Sequence, residues 1–323
     1  MPETAVERRD LLGLDGLPAD HVLSLFDQAQ RFLPVAAAHR PPLDVLAGLL
    51  VANLFFEDST RTRCSFTIAA MRLGAGTVDL LGPGSSISKG ETVLDTALNI
   101  DAMGVDAMVV RSQASGTPAM IARAVSCPVI NAGDGRHEHP TQGLLDIMTL
   151  HQRWGDVAGK KVAIVGDISN SRVARSNLFG LTTLGADVVL VGPPALVPHS
   201  FEGIASGPGR VSISHDFDAV LGEVDAVMML RVQLERQEGG AVPFDYRARY
   251  GLTVERAACL RADVPVMHPG PMNRGVEIDS EVADDPAHSV IHQQVANGVA
   301  VRMAVLVRAM SDPPPATGRQ GVS

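Results

Sequence analysis

Disulfide-forming and aromatic residues are scarce in this chain. Among 323 residues there are three cysteines, one tryptophan and two tyrosines. Cys64, Cys127 and Cys259 are scattered and no Cys-x-x-Cys spacing occurs. That excludes a disulfide framework or a zinc ribbon and points to a reducing cytoplasm. No apolar run reaches the roughly 18 residues a membrane span needs. The first residues, Met1 to Arg9, carry acids and arginines rather than an apolar signal core, so neither a membrane nor a secretory route is expected. Basic residues are outnumbered, 27 Lys and Arg against 36 Asp and Glu, and the net charge of −9 argues against nucleic acid as a partner. Three catalytic fingerprints are also missing. There is no Walker A sequence for a nucleoside triphosphate, no Gly-x-Ser-x-Gly elbow, and no Gly-x-Gly-x-x-Gly after the strand Val162 to Val165 to admit a dinucleotide.

Apolar residues make up 46% and charged residues 20%, a globular balance, and the length suits two domains. Aromatics at 4%, with abundant alanine, valine and leucine, favour α/β packing with small side chains. Strand signals fall at Leu49 to Phe56, Thr77 to Leu81, Asp106 to Val110 and Pro128 to Asn131. A second set falls at Val162 to Val165, Asp187 to Val191, Val211 to Ser214, Ala226 to Leu230 and Val264 to Met267. Helical signals separate most of them, including Ser59 to Gly74, Glu91 to Met103, Pro118 to Val125 and Thr141 to Trp154. Strands alternating with helices imply parallel sheets joined by right-handed crossovers. The expected fold is α/β, with two domains, each a parallel sheet flanked by helices. The first spans 1–150 and the second 151–290, with a divide near Gly155 and Gly159. A final helix, 291–310, returns to the first domain, and 311–323 reads as a disordered tail.

The densest chemical signal is Ser59-Thr60-Arg61-Thr62-Arg63 at the predicted start of a helix. A helix N-terminus presents unpaired N–H groups and partial positive charge. Two arginines and two further hydroxyls exceed what capping needs and suit a phosphate. In an open parallel sheet, ligands sit beyond the C-terminal strand ends. That rule selects Arg111, Asn131, Asp167, Arg231 and His268 as candidates to feed one polar cleft. His137-x-His139 lacks the further ligands zinc requires. His137 reads as an exposed loop residue, and His139, just before Pro140, as a donor facing the cleft. Ser85-Ser86-Ile87-Ser88-Lys89-Gly90 reads either as a surface turn or as a mobile loop carrying a lysine to an anion.

In order along the chain, Ser59-Thr60-Arg61-Thr62-Arg63, Lys89-Gly90-Glu91, His139-Pro140-Thr141-Gln142, Arg231-Val232-Gln233-x-Glu235-Arg236 and His268-Pro269-Gly270-Pro271 resemble the aspartate/ornithine transcarbamylase superfamily. The likeness runs from about Leu11 to Met310. The Arg-Val-Gln-x-Glu-Arg segment is similar to that of the aspartate enzymes' catalytic chains. The cysteine expected of ornithine enzymes near 268–271 is absent. The resemblance implies transfer of the carbamoyl group of carbamoyl phosphate to L-aspartate, in pyrimidine synthesis, with no metal and no organic cofactor. It implies that the first domain binds carbamoyl phosphate, through Ser59, Thr60, Arg61, Thr62, Ser85, Lys89, Arg111, His139 and Gln142, with Pro269 of the second domain added. The second domain would bind aspartate through Arg172, Arg231, Gln233 and Gly270, with Lys89 reaching both substrates. Thr62, Lys89, Arg111 and His139 would carry the chemistry. The loop of Ser85 and Lys89 is implied to enter a neighbouring subunit's site, making a homotrimer, to which regulatory or dihydroorotase subunits could add. The alternatives are a transcarbamylase for another amine such as ornithine, or a non-catalytic scaffold relative. Gly270 stands where many relatives carry leucine, which suggests a more mobile loop.

Overall fold

The computed structural model describes residues 9–36, 42–81, 90–205, 207–232 and 245–311. Ser85, Lys89, Gln233, the 237–240 glycine-rich run and the 312–323 tail lie outside these residues.

The first sheet contains β1 (Leu50–Phe55), β2 (Gly76–Leu81), β3 (Ala107–Ser112) and β4 (Val129–Asp134), all parallel, in the order β2-β1-β3-β4. The second contains β5 (Lys161–Val165), β6 (Asp187–Val191), β7 (Val211–Ser214), β8 (Ala226–Met229) and β9 (Val266–Met267). These are also all parallel, in the order β7-β6-β5-β8-β9. The near-continuous apolar runs of β1, β3 and β5 follow from burial on both faces, since crossover helices cover both sides of a parallel sheet. Helices α1 (Ala19–Ala36), α2 (Thr60–Arg72), α3 (Val93–Asp101) and α4 (Thr117–Ala122) accompany the first sheet. Thr92 starts α3 with a capping box, its hydroxyl accepting from Asp95 N–H.

Strand order reverses once in each sheet, between β1 and β3 and between β5 and β8. The crevice at such a reversal is where a doubly wound sheet receives ligands. The segments leaving these four strands are therefore the natural ligand-binding segments. They contain Ser59 to Thr62, Arg172 and Arg231, and Arg111 sits at the C-terminal end of β3 itself.

Three helices tie the halves together. Helix α5 (Pro140–Trp154) leads out of β4, α6 (Arg172–Thr183) follows β5, and, after the short helices α7 (Tyr246–Tyr250), α8 (Val254–Ala257) and α9 (Ser280–Ala283), α10 (Ile291–Met310) packs on α1, α2 and α5. Glycines allow α5 and α6 to pack closely. A Cβ on Gly143 would sit 2.8 Å from Leu14 and 3.0 Å from Ser176, and one on Gly180 would strike Ile147. One continuous apolar cluster runs from Phe66 and Leu25 through Leu144 and Leu178 to Ile164 and Leu190. The two ligand crevices are thus held by a shared core rather than by a bare linker.

Candidate active site

The chain leaves β1 through Glu57 and Asp58 and turns into α2 at Ser59. Ser59 is the N-cap, with φ −161°, yet its side chain makes no capping hydrogen bond. Its hydroxyl remains available to a ligand, together with the first N–H groups of the helix. Thr62 is nearly buried in the same turn, and Arg61 extends to an exposed position. Partial burial of its charged end, then the charge of Arg231, lowers the affinity of Arg61 for its proton although much of the side chain is open to solvent. Arg61 also lies against Gly270, where any Cβ would collide with its guanidinium. Segments following β1, β8 and β9 therefore meet at one place. Gly270 has φ +62° and its N–H donates to His268 Nδ1 at 2.8 Å. Its glycine serves a left-handed turn and the seat of Arg61, and the turn is tied rather than loose.

Arg111 does not follow its strand, as the apolar run suggested, but lies within it. It pairs with Phe55, and its carbonyl accepts from Phe56 N–H at 2.8 Å, so β3 extends through Ser112. Its Nη1 donates to Ala132 O at 3.0 Å and its Nη2 to Glu57 Oε1 at 3.1 Å. Arg172, first residue of α6, is placed by Ser171, whose hydroxyl caps the helix on Ala174 N–H. It reaches the same carboxylate with two bonds, 3.0 and 2.8 Å. Both guanidiniums close on the backbone of Gly133, φ +116°, where a Cβ would lie 2.9 Å from Arg111 and 3.1 Å from Arg172. Glu57 thus sets one arginine from each sheet side by side. Sequence reasoning missed it, although an acid immediately before a basic phosphate-type turn was a usable signal.

His139 is the N-cap of α5 and 4% exposed. Its N–H donates to Ser176 Oγ at 2.9 Å, while its Nδ1 is buried without a partner among the described residues. Burial, with Arg111, Arg302 and Arg172 around it, holds the imidazole well below its usual pKa, so it is neutral. A neutral ring can still donate one hydrogen bond to an oxygen that gains negative charge. Gln142, one turn into α5, donates from Nε2 to Asp146 Oδ1 at 2.9 Å. Arg302 of α10 was also missed. It is buried, its guanidinium lies 5.2 Å from the Phe66 ring centroid, and its Nη1 donates to Ser65 Oγ at 2.9 Å. Burial brings its pKa down to about 10 despite the attraction of Asp146. Its signal in the sequence was a lone arginine within the apolar stretch from Val299 to Leu306.

Other strand-end candidates serve the fold. Asn131 bonds Asp134 and Leu12 O, Asp167 accepts from Asn170, and His268 is held between Glu277 Oε1 (3.2 Å) and Gly270 N–H. Glu277 Oε1 also accepts from Asn273 N–H and Oε2 from Val232 N–H, so this buried pair braces the segment that starts at Arg231. His137 is exposed and bonded to Asp134. Among the described residues no cluster of three His, Cys, Asp or Glu could hold a metal ion, and no helix is long and apolar enough to cross a membrane. Pro269 sits between His268 and Gly270, on the turn that carries Gly270 beside Arg61.

Arg111 and Arg172 joined by Glu57 beside the neutral imidazole of His139, with Arg61 in the field of Arg231, make an α/β transferase site for anionic substrates. The chain belongs to the aspartate/ornithine carbamoyltransferase family: residues 9–152 match its carbamoyl-P binding domain and 158–309 its Asp/Orn binding domain. It is 52% identical over 300 residues to the aspartate carbamoyltransferase catalytic subunit of Rhizorhabdus wittichii, covering 92% of this chain and 93% of that one. The catalytic subunit of the same name from Myxococcus xanthus is also 52% identical, with 92% and 98% covered. Among solved structures, aspartate transcarbamoylase from Trypanosoma cruzi with carbamoyl aspartate and phosphate superimposes with TM-score 0.85 at 29% identity, covering 96% of this chain and 99% of that one. Ornithine carbamoyltransferase from Pyrococcus furiosus gives TM-score 0.85 at 29% identity, with 97% and 100% covered.

Proposed function

We propose that this chain is an aspartate carbamoyltransferase. It transfers the carbamoyl group of carbamoyl phosphate to the amine of L-aspartate, giving N-carbamoyl-L-aspartate and phosphate for de novo pyrimidine biosynthesis. The observation that carries this reading is that Arg61 of the first domain, seated against Gly270 of the second, lies within the field of Arg231. Cations from two domains are brought within electrostatic range of each other, an arrangement suited to a phosphoryl group and a dicarboxylate side by side. The similarity to named catalytic subunits points the same way.

In this reading residues 1–150 bind carbamoyl phosphate and 151–290 bind aspartate. Ser59, Thr60, Arg61 and Thr62 hold the phosphate at the α2 N-terminus, with Ser85 and Lys89. Arg172, Arg231 and Gln233 hold the aspartate carboxylates, with the Gly270 turn beside them. The amine attacks the carbamoyl carbon, and the C–O bond to phosphate breaks as the amine loses its proton. Thr62, Arg111 and His139 donate to the carbamoyl oxygen as it becomes negative, and Arg61 and Lys89 offset charge on the departing phosphate. Phosphate leaves readily, so positioning and electrostatics suffice without a covalent intermediate. Glu57 contributes by fixing Arg111 and Arg172 before substrate arrives, so little reorganisation is left for the reacting complex. The site is shared within a cytoplasmic homotrimer, the 85–89 loop entering from the neighbour, and regulatory or dihydroorotase subunits are compatible with that assembly.

The test is acceptor choice. With carbamoyl phosphate saturating, L-aspartate is expected to be carbamoylated with a kcat/KM at least about a hundredfold above that for L-ornithine, since an ammonium side chain facing Arg231 leaves charges unmatched. Equal rates for the two acceptors would overturn the assignment in favour of an ornithine-type enzyme. No ureido product from either would indicate a scaffold relative.

A further inference from the structure

Asp146 is given no substrate contact in the reading above, yet its carboxylate bonds directly to Gln142, which that reading places at the carbamoyl end. It projects from the second turn of α5 and is fully buried. Its Oδ1 accepts from Gln142 Nε2 at 2.9 Å and from Gln294 Nε2 at 2.7 Å, and its Oδ2 accepts from Asn177 Nδ2 at 2.8 Å. An ionised carboxylate only accepts hydrogen bonds. Both glutamine amides must therefore turn their N–H₂ groups toward Asp146 and their oxygens away. Gln294 Oε1 uses that orientation to accept the N–H of His268 at 3.0 Å, which fixes the strand end that runs into Pro269. Gln142 Oε1 has no donor among the described residues.

We infer that Asp146 is a positioning residue for substrate selectivity: it turns Gln142 Oε1, and through Gln294 the Pro269 carbonyl, toward the carbamoyl end as two hydrogen-bond acceptors for an NH₂ group. This rests on the placement of Gln142 and Pro269 at the carbamoyl end proposed above. An acceptor-only surface matches the amide of carbamoyl phosphate. It leaves acetyl phosphate, with a methyl at that place, unable to satisfy either oxygen. Sites built to hydrogen-bond a polar substrate group reject the analogue lacking it, because their own buried groups are left unpaired. If Gln142 could rotate its amide, its N–H₂ would oppose the substrate's and the selectivity would be lost. Burial works against the ionised form of Asp146 and raises its pKa to about 6, so the charge is kept at a cost in stability. A group retained at such a cost fits a role in the site better than a role in packing.

The test is a set of direct titrations of the full chain with carbamoyl phosphate, acetyl phosphate and inorganic phosphate at pH 8. The readout is the ratio of the acetyl phosphate to the carbamoyl phosphate dissociation constant. D146N can donate as well as accept, which frees Gln142 to turn, and is expected to lower the ratio about tenfold while inorganic phosphate binds within about twofold of the parent. Q142A should lower the ratio too, and D146N added to Q142A should change it little further. A folded D146N that keeps the parental ratio, while Q142A lowers it, overturns the inference. An unchanged ratio in Q142A instead removes Gln142 from the carbamoyl end, and the earlier reading fails at that residue. Should D146N yield no folded protein, Q294M interrupts the same network at its other amide. A ratio lowered at least about threefold supports the inference, and a parental ratio in folded Q294M overturns it.

Discussion

Glu57 joins Arg111 of β3 to Arg172 of α6 through a single carboxylate, with N–O distances of 3.1, 3.0 and 2.8 Å. Both arginines are nearly buried, so the carboxylate offsets two charges that would otherwise repel within a low-dielectric crevice. It also brings a residue of the first sheet's crevice into register with one of the second's. For Arg111→Ala the expected outcome is a folded protein with kcat lowered by a hundredfold or more. That is the roughly 3 to 4 kcal/mol a positioned oxyanion donor supplies. The Michaelis constant for aspartate should move less, because the lost interaction belongs to the transition state. Steady-state kinetics on a variant with parental circular dichroism checks this, and turnover within about threefold of the parent would remove Arg111 from the chemistry.

Gly270 offers a second check at the same crevice. At φ +62° a side chain is strained, and its Cβ would strike the Arg61 guanidinium. Arg61 is the flexible partner and should yield. Gly270→Ala is therefore expected to displace Arg61 and to weaken inorganic phosphate binding by about tenfold, the loss of one charge-assisted hydrogen bond. It should also reduce stability by about 1 kcal/mol through the left-handed backbone. Parental phosphate affinity in a folded Gly270→Ala protein would show that Arg61 does not depend on this seat.

Two buried groups give opposite pH signatures. The His139 pKa lies well below 6.5 in the folded chain, so the unfolded chain binds the proton more readily. Its contribution to stability is therefore full above about pH 6.5 and declines as pH falls below that value. Asp146 runs the other way, with its pKa raised from 3.8 to about 6. Its unfolded form ionises first, so stability falls as pH rises from about 4 to 6, by about 3 kcal/mol at most. Denaturant midpoints of the parent and D146N, compared from pH 4 to 7, should diverge upward in favour of the variant. A constant offset would mean that Asp146 ionises normally in the folded chain.

Much of this was legible beforehand because it rests on local pattern. Each apolar run from Leu50 to Met267 formed a strand within one or two residues of its expected ends, except β4, which runs to Asp134, three residues past its expected end at Asn131, since burial on both faces leaves an unbroken hydrophobic signal. Arg111 shows the limit. Hydropathy ended its strand at Val110, whereas the backbone ladder with Phe55 and Phe56 carried it two residues further. The contacts that Glu57, Asp146 and Arg302 make were illegible for a different reason, even where the residue itself stood out. Their partners lie 115, 148 and 237 positions away, at Arg172, Gln294 and Ser65, and no periodicity encodes a contact of that range. Gly270 was read from its loop alone, and only the approach of Arg61 gives the glycine its steric reason.

Lys89 allows the shared site to be tested directly. The segment from Ser85 to Lys89 lies between β2 and α3, outside the described residues, and Ile87 is its one apolar residue. If Lys89 acts in a neighbour's site while Arg61 acts in its own, Arg61→Ala and Lys89→Ala should each be nearly inactive as pure assemblies. Dissociated, mixed and reassociated, the two should regain activity. In every mixed trimer about one site in three takes an intact Arg61 from one chain and an intact Lys89 from the next. The recovery should scale with the fraction of mixed trimers and vanish when subunit exchange is blocked by crosslinking beforehand. Verified mixed trimers without recovery would place Lys89 in its own chain's site, and the trimer would then play no part in completing the active site.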